Sequence, residues 1–247
     1  MNAAWMGVYG AVWGSFAVLV GVRLPQGESV VRPPSHCDGC GRGLRWHELI
    51  PVLSWVLAGG RCRTCRATIP VWYPAIELAT AVAFAVAWQQ WHWGLGFWLA
   101  AWASGVLAAL SAADLRYHRL PDVLVWSGVA GVLAIRLFYR PLPWWSYLAG
   151  GLAGMGLLAL LRVASRGGMG LGDVKVFGLI GLLTGLSGMV LTLILASVAG
   201  SVAGIASAAT GRLRPDHRIP FGPAIALAAM GVYLYATPWI GRYWGMH

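Results

Sequence analysis

The stretch 176–211, VFGLIGLLTGLSGMVLTLILASVAGSVAGIASAATG, has 36 residues and no charged side chain. As one straight helix it would extend about 54 Å, nearly twice the hydrocarbon core of a bilayer. We therefore expect it to fold back on itself near residues 185–188 and to form two membrane-spanning helices. An apolar stretch of this length indicates a membrane protein rather than a water-soluble domain.

The composition of the whole chain supports this interpretation. Of the 247 residues, 58% are hydrophobic and 11% are charged, which is more apolar surface than one globular core can bury. A net charge of +10 would suggest nucleic-acid binding in a soluble protein. Here the cations form short clusters between uncharged runs, a pattern typical of topology signals beside anionic lipid headgroups. The expected partner is the lipid bilayer, with no nucleic acid.

The uncharged runs predict an all-α polytopic membrane protein with about eight transmembrane helices. The first run is expected to remain as a span, because no basic side chain precedes it as in a signal peptide. Two of the predicted spans are short, and the shorter one needs the preceding GDVK residues to complete a crossing. The eight are 5–22, 74–91, 95–113, 123–135, 143–161, 176–183, 189–209 and 221–240.

Eight crossings place both termini on one side of the membrane, and the distribution of Arg and Lys indicates which side. The loops 23–73, 114–122, 162–175 and 210–220 hold 15 of the 18 Arg and Lys residues. The positive-inside rule places these loops in the cytoplasm and both termini outside. The predicted organisation is a first transmembrane helix over 1–22, a small cytoplasmic domain over 23–73 and a seven-helix membrane domain over 74–247.

All four cysteines lie in the predicted cytoplasmic domain, as the pairs Cys37–Cys40 and Cys62–Cys65. Two CxxC pairs with this separation are typical of a zinc ribbon, in which two tight turns direct four thiolates at one tetrahedral metal. Four thiolates close the site, so the predicted zinc is structural. The alternative is a pair of disulfides or a redox dithiol, which a cytoplasmic location disfavours.

The chain has only eight carboxylates, so those at a membrane edge are informative. Asp114 ends the uncharged run 95–113, and Asp173 opens the next inward-facing helix within the segment GLGDVK. A single boundary Asp can simply cap a helix, but ionisable groups near hydrocarbon are costly and usually functional. The pair predicts aspartyl protease chemistry, in which one carboxylate takes a proton from water and the other, protonated, polarises the scissile carbonyl.

Residues around this pair have expected supporting roles. Gly170 and Gly172 would let a substrate backbone approach Asp173 closely. Lys175 and the helix N-terminus would favour an ionised Asp173, whereas Asp114 at a helix C-terminus would be favoured protonated.

Asp122 follows Pro121 and is expected to cap the next helix rather than to react. A transporter is the main alternative of another class, in which boundary Asp and Lys residues would couple ions. A transporter would place carboxylates near the membrane midplane, whereas Asp114 and Asp173 lie at the ends of apolar runs. It would also not need a zinc ribbon, whereas this sequence contains the pattern of one.

Further short motifs occur in a characteristic order along the chain. They are Gly14-Ser15-Phe16, Arg23-Leu24-Pro25, Ser35-His36-Cys37, Ile50-Pro51-Val52-Leu53-Ser54-Trp55, Tyr73-Pro74-x-x-Glu77, Asp114 with Pro121, Gly170-x-Gly172-Asp173-x-Lys175 and Pro220-Phe221-Gly222-Pro223. Together with the cysteine pairs, they resemble the prepilin peptidases, a family of GxGD aspartyl proteases, over nearly the whole chain.

The resemblance implies a multi-pass protein of the bacterial inner membrane whose active site faces the cytoplasm. It implies cleavage after a glycine, between the basic leader and the hydrophobic helix of a type IV prepilin or pseudopilin. The family's catalytic aspartates correspond to Asp114 and Asp173. Many members also methylate the new N-terminus with S-adenosylmethionine.

Two departures from the family pattern fall around the cytoplasmic domain, which the family links to methylation. Val18 stands where Asn is common, and Leu49 stands where the family often has Asn before Ile-Pro. A peptidase without methyltransferase activity is therefore the alternative within the family. Glu48 and Glu77 are the candidate methylation residues, because a carboxylate can hold the incoming ammonium group or take its proton.

Overall fold

The computed structural model describes residues 2–165, 170–209 and 220–236. Within these residues the fold is helical, and the only extended pairings recorded are two isolated β-bridges. The end of the predicted span 221–240 and the loop 210–219 lie outside the described residues. The α-helices are α1 (Ala3–Arg23), α2 (Leu53–Leu57), α3 (Trp72–Trp91), α4 (Leu95–Tyr117), α5 (Asp122–Arg136), α6 (Trp144–Ala164), α7 (Leu171–Ala209) and α8 (Gly222–Gly231), the last continued by a π-helical turn over Val232–Ala236.

Four helices in the described part of the chain are long and apolar enough to cross a membrane: Ala3–Gln26, Leu95–Tyr117, Trp144–Ala164 and Leu171–Ala209. The all-helical membrane fold is thereby confirmed at this coarser level. α5 and α8 are shorter than a full bilayer crossing, because each has 15 or fewer residues.

α7 reverses direction at Gly185. Phe177 and Met189 would be about 18 Å apart in a straight helix. Yet a Cβ placed on Gly154 of α6 would lie 2.7 Å from the Phe177 carbonyl oxygen and 3.3 Å from Met189 Cγ. Both halves of α7 therefore run along the same face of α6, and the predicted fold-back is confirmed.

The reversal depends on one backbone conformation and is held by polar contacts. Gly185 has φ 75° and ψ 179°, a combination that only glycine adopts at low cost. The Leu186 N–H donates to Ser146 Oγ at 3.3 Å, and the buried guanidinium of Arg136 donates to the Leu183 carbonyl at the tip. The second half of α7 then returns toward the end of the bundle from which the first half starts.

α4 is the central helix, packed against α1, α3, α5 and α8. Its small side chains permit this close approach, and its 18-residue apolar window is 83% buried, compared with 28% for α6. On α1, Gly21 lies directly against the Ala109 backbone, and Trp13 Nε1 donates to the Ala101 carbonyl at 3.0 Å. Neighbouring helices therefore hold α4 along its length, and its last turn carries Asp114.

Candidate active site

Asp114 lies near the C-terminal end of α4 and is 8% exposed. The backbone N–H of Gly222, the first residue of α8, donates to Asp114 Oδ2 at 2.7 Å, and Phe221 also donates a backbone hydrogen bond to this carboxyl. A helix N-terminus, with its unpaired N–H groups, is thus directed at a buried carboxylate.

Any residue larger than glycine at position 222 would force the Asp114 side chain or the start of α8 to move. A Cβ there would lie 2.9 Å from Asp114 Oδ2 and 3.0 Å from Asp114 Cβ. This contact gives a physical reason for the Pro220-Phe221-Gly222-Pro223 motif, whose role sequence reasoning did not identify. In the sequence, this motif was marked only by its place in the ordered series of family-like motifs.

Asp173 lies in the first turn of α7 and is partly buried. It accepts a backbone hydrogen bond from Gly170, and the charge of Asp114 acts on its carboxyl group. The fold therefore brings Asp114 and Asp173 near enough for the charge of one to act on the other, although 58 residues separate them in the chain.

The expectation that helix ends favour opposite protonation states in the two aspartates stays a prediction, and the structure adds a contact that it did not include. It considered only the α4 C-terminus at Asp114, whereas the N-terminus of α8 also reaches this side chain. Both carboxylates therefore accept backbone N–H groups at a helix start, and Asp114 lies at a helix C-terminus as well.

The glycines of the GLGD segment have different surroundings. A Cβ on Gly170 would lie 3.2 Å from Asp173 Oδ2, so this residue borders the carboxyl group as expected. A Cβ on Gly172 would lie 2.7 Å from Leu120 Cβ. Gly172 therefore allows α7 to pack closely against the loop at Leu120, and its expected role in giving a substrate access to Asp173 stays a prediction.

Lys175 and Asp122 pair with each other. Lys175 Nζ donates to both Asp122 carboxylate oxygens at 2.7 Å. Pro121 occupies the N-cap of α5, and no side chain makes a capping bond there, so the predicted capping role of Asp122 is wrong. The partner recorded for Lys175 is Asp122 and not Asp173.

The four cysteines converge between α1 and α3. Cys37 and Cys62 each donate to the carbonyl five residues later, at 3.0 and 2.8 Å, and each accepts from the N–H four residues later, at 2.9 and 3.0 Å. A β-bridge closes each turn, and the residue after each second cysteine, Gly41 or Arg66, has positive φ. The two CxxC turns thus share one backbone geometry.

This cluster fits a tetrahedral metal. All four Sγ atoms lie within 4.8 Å of one another, and Cys37 Sγ is 3.7 Å from Cys65 Sγ. Zn–S bonds of about 2.3 Å require sulfur separations of about 3.8 Å. The cysteines are free rather than disulfide-bonded, and backbone N–H groups of Cys65 and Thr64 lower the pKa of the Cys62 thiol to about 6.

Glu48 is engaged within the segment 24–71, which we call the cysteine domain. Arg42 donates to both of its carboxylate oxygens, at 3.0 and 2.8 Å, and the Arg45 N–H donates at 2.9 Å. The Arg42 guanidinium and the Arg45 N–H lower the pKa of Glu48 to about 2. These contacts engage both carboxylate oxygens of Glu48 within the domain, and its candidacy for methylation stays a prediction.

Glu77 of α3 lies deeper and connects three parts of the chain. It is 9% exposed, it accepts from the Val52 N–H at 2.7 Å, and it is hydrogen-bonded to Ser15 of α1. Val52 has φ 60°, an unfavourable conformation for a β-branched residue. Glu77 thus connects the Gly-Ser-Phe motif to the Ile-Pro-Val motif. The sequence did not indicate this contact, because it showed only that the motifs occur in a fixed order.

A cavity of about 370 Å³ opens beside Glu77, between the cysteine domain and the ends of α1, α3 and α4. Its lining includes Val18 on the α1 side, Ser54 and Arg61 on the domain side, and Arg116 from the last turn of α4. This volume is in the range of small-molecule sites. Arg116 also pairs with Asp38 of the first CxxC turn at 3.1 Å, so the cysteine domain contacts the helix that carries Asp114.

The chain was compared with known families and proteins. A model of the bacterial peptidase A24 N-terminal domain matches residues 8–91, and a model of the type IV leader peptidase family matches residues 101–205. No solved structure matches the chain.

Several curated proteins are similar over most of the chain. A prepilin leader peptidase/N-methyltransferase of Bacillus subtilis is 33% identical over 236 residues, which cover 96% of this chain and 95% of that protein. The proteins of the same name in Burkholderia pseudomallei and Pseudomonas aeruginosa are 32% and 31% identical. Their alignments cover 96% and 88% of this chain and 78% and 73% of those proteins. These matches confirm the resemblance and disfavour the transporter interpretation, and the chain therefore belongs to the type IV leader peptidase family.

Proposed function

We propose that this chain is an endopeptidase of the bacterial inner membrane which removes the leader of type IV prepilins or pseudopilins. Cleavage would follow a glycine at the cytoplasmic membrane face. Asp114 and Asp173 are the proposed catalytic residues. The observation that carries the proposal is their convergence, with Asp114 buried and held by the α8 N-terminus and its charge acting on Asp173.

The chemistry that such a pair can perform is hydrolysis by general acid and base. One carboxylate takes a proton from water, and the protonated partner donates a hydrogen bond to the scissile carbonyl. Water attacks the carbonyl carbon, the C–N bond breaks, and the leaving amine takes a proton from the pair. Gly170 borders the Asp173 carboxyl without a side chain, which would leave room for a substrate backbone.

The proposed topology has eight crossings. The two antiparallel halves of α7 each count as one crossing, together with α1, α3, α4, α5, α6 and α8. The charge bias of the sequence supports termini outside and aspartates facing the cytoplasm. The proposed domains are the first helix over 1–22, the cytoplasmic domain over 23–73 and the membrane domain over 74–247.

A structural zinc ion is proposed for Cys37, Cys40, Cys62 and Cys65. When bound, zinc would cross-link the two CxxC turns. A domain of this size needs such a cross-link because its own apolar core is small. The matched backbone geometry of the two turns supports the assignment.

Methylation of the new N-terminus is proposed as a second activity, and the cavity beside Glu77 is the feature that favours it. S-adenosylmethionine, when bound, supplies an electrophilic methyl group. The amine of the product must lose a proton before it can attack, and Glu77 is the buried carboxylate at this cavity that could take the proton or hold the ammonium group.

The peptidase proposal is tested with purified full-length protein, a synthetic prepilin and mass spectrometry of the product N-terminus. Asp114→Asn and Asp173→Asn should each slow leader removal by about 10²–10⁴-fold, because Asn keeps the shape but cannot transfer a proton. The double variant should be little slower than either single one, since the two residues act as a unit. Cleavage within a few-fold of the parent by either variant would show that the aspartyl mechanism is wrong.

The same spectra test methylation when S-adenosylmethionine is added. We expect a methylated product from the parent and from Glu48→Gln, and a cleaved but largely unmethylated product from Glu77→Gln. A parent product that stays unmethylated at saturating methyl donor would establish a peptidase without methyltransferase activity.

A further inference from the structure

The ion pair between Lys175 and Asp122 joins the two segments that carry the aspartates. Lys175 lies two residues after Asp173 in α7, and Asp122 opens α5, eight residues after Asp114. The bond is bidentate, with both Nζ–O distances at 2.7 Å. It therefore connects α7 to the start of α5, directly after the short loop that leaves the Asp114 helix.

A second contact lies beside the first and joins the same two segments. The backbone of Gly172 rests on the Leu120 side chain, close enough that a Cβ would overlap it at 2.7 Å. The loop itself is tight, because His118 has φ 51° and donates its N–H to the Asp114 carbonyl at 2.9 Å. The first turn of α7 is thus held in two ways, by the packing contact with Leu120 and by the ion pair with Asp122.

The exposure of the ion pair argues against a role in global stability. The Lys175 and Asp122 side chains are 33% and 58% exposed, and pairs of this kind contribute little to unfolding free energy. A local effect is different, because reacting groups displaced by about 1 Å can lose up to 10²-fold in rate. The pair acts where such a displacement would occur, within one turn of Asp173 and just past the loop that follows the Asp114 helix.

We propose that Lys175 is a positioning residue that acts through Asp122, and that this clamp sets the placement of Asp173 relative to Asp114. The inference rests on the proposed peptidase function. It differs from a direct role of Lys175 on substrate, because it requires Asp122 equally. It also gives Asp122 a function that its position after Pro121 did not suggest.

The test is a double-mutant cycle on the purified full-length peptidase with a synthetic prepilin. Lys175→Met and Asp122→Asn should each lower kcat by about 5- to 20-fold, with KM within twofold of the parent. The double variant should lose no more than either single one, because both remove the same contact. Lys175→Arg keeps a donor and should remain within about threefold, and Arg119→Gln, an exposed cation of the same loop, should match the parent.

Amide hydrogen exchange gives a readout that does not depend on activity. Residues 171–176 should exchange faster in Lys175→Met and in Asp122→Asn, whereas the cysteine domain should be unchanged. Parental kcat in Asp122→Asn beside an impaired Lys175→Met would overturn the clamp and assign Lys175 to substrate. Additive losses, or parental exchange in both variants, would also overturn it. Failure of the peptidase function itself would appear separately, as cleavage by Asp114→Asn or Asp173→Asn.

Discussion

The cysteine cluster is assembled from two short segments that each fold on themselves, whereas the aspartate site is assembled from helices far apart in the chain. Each CxxC turn makes its own hydrogen bonds within five residues. Asp114, in contrast, depends on a donor 108 residues away, at Gly222. The cluster is a local motif that a metal can fix, and the aspartate site is a product of how whole helices pack.

The contrast between a local and a nonlocal site predicts how each region responds to substitutions. Removal of one cysteine ligand should loosen the cysteine domain and leave the helix packing intact. A single added methyl group at a helix contact should disturb the aspartates without unfolding the bundle, because packed interiors transmit small displacements.

Gly222→Ala should show the largest effect of the variants that leave both carboxylates in place. The new Cβ would overlap Asp114 at 2.9 to 3.0 Å, so the carboxyl group or the start of α8 must move. We expect leader removal to slow by about 10²-fold, with the protein still inserted at parental abundance. The measurement is the cleavage rate of a synthetic prepilin.

Gly231→Ala is the matched control on the same helix, because a Cβ there meets no atom within 4 Å. It should cleave at the parental rate, since alanine is also the better helix former. Equal rates for the two alanine variants would show that the α8 N-terminus does not determine Asp114 geometry.

Cys62→Ser should have a smaller effect on cleavage and a large effect on the cysteine domain. Bound zinc should fall from about one equivalent to a small fraction, and residues 24–71 should become sensitive to protease. Leader removal should slow by less than about fivefold, because the polar contacts of the domain with the Asp114 helix are solvent-exposed, namely the Arg116–Asp38 pair and a hydrogen bond from Gln26 to Tyr117.

Thr64→Ser, within the same CxxC turn, is the control and should keep both zinc and protease resistance. If Cys62→Ser abolished cleavage as completely as Asp114→Asn, the contrast between a local and a nonlocal site would fail. The cysteine domain would then have to be counted as part of the peptidase site.

The locality of each region also explains what the sequence could predict. The cysteine cluster was predictable in full, because the ligands and the turns that aim them lie within two four-residue motifs. For the aspartate pair, the residue types and their positions at helix ends were predictable. The Gly222 donor was not, because no local pattern indicates which distant helix start will meet Asp114.

The same limit applies to the helices and to charge pairing. Within the described residues, the lengths of uncharged runs predicted the helix bounds to within about five residues, and the length of 176–211 predicted the reversal near Gly185. Pairing partners of charged side chains depend on tertiary contacts, so Lys175 was assigned to the nearer carboxylate in sequence and Asp122 to a helix cap. The structure instead joins these two residues across 53 positions.

Glu48→Gln should have the smallest effect, confined to the cysteine domain and dependent on pH. The pKa of Glu48 is about 2 in the fold, below its ordinary 4.5, so its charge stabilises the domain above about pH 4.5. This contribution is lost as the pH falls from 4.5 toward 2. At pH 7 the variant should show about two- to fivefold faster amide exchange around residues 42–49, since partly exposed ion pairs contribute little, and this difference from the parent should vanish at pH 2. Glu28→Gln, which changes an exposed carboxylate earlier in the same segment, is the control and should match the parent at pH 7. A difference between Glu48→Gln and the parent that persisted unchanged to pH 2 would mean that Glu48 acts through its shape and not through its charge.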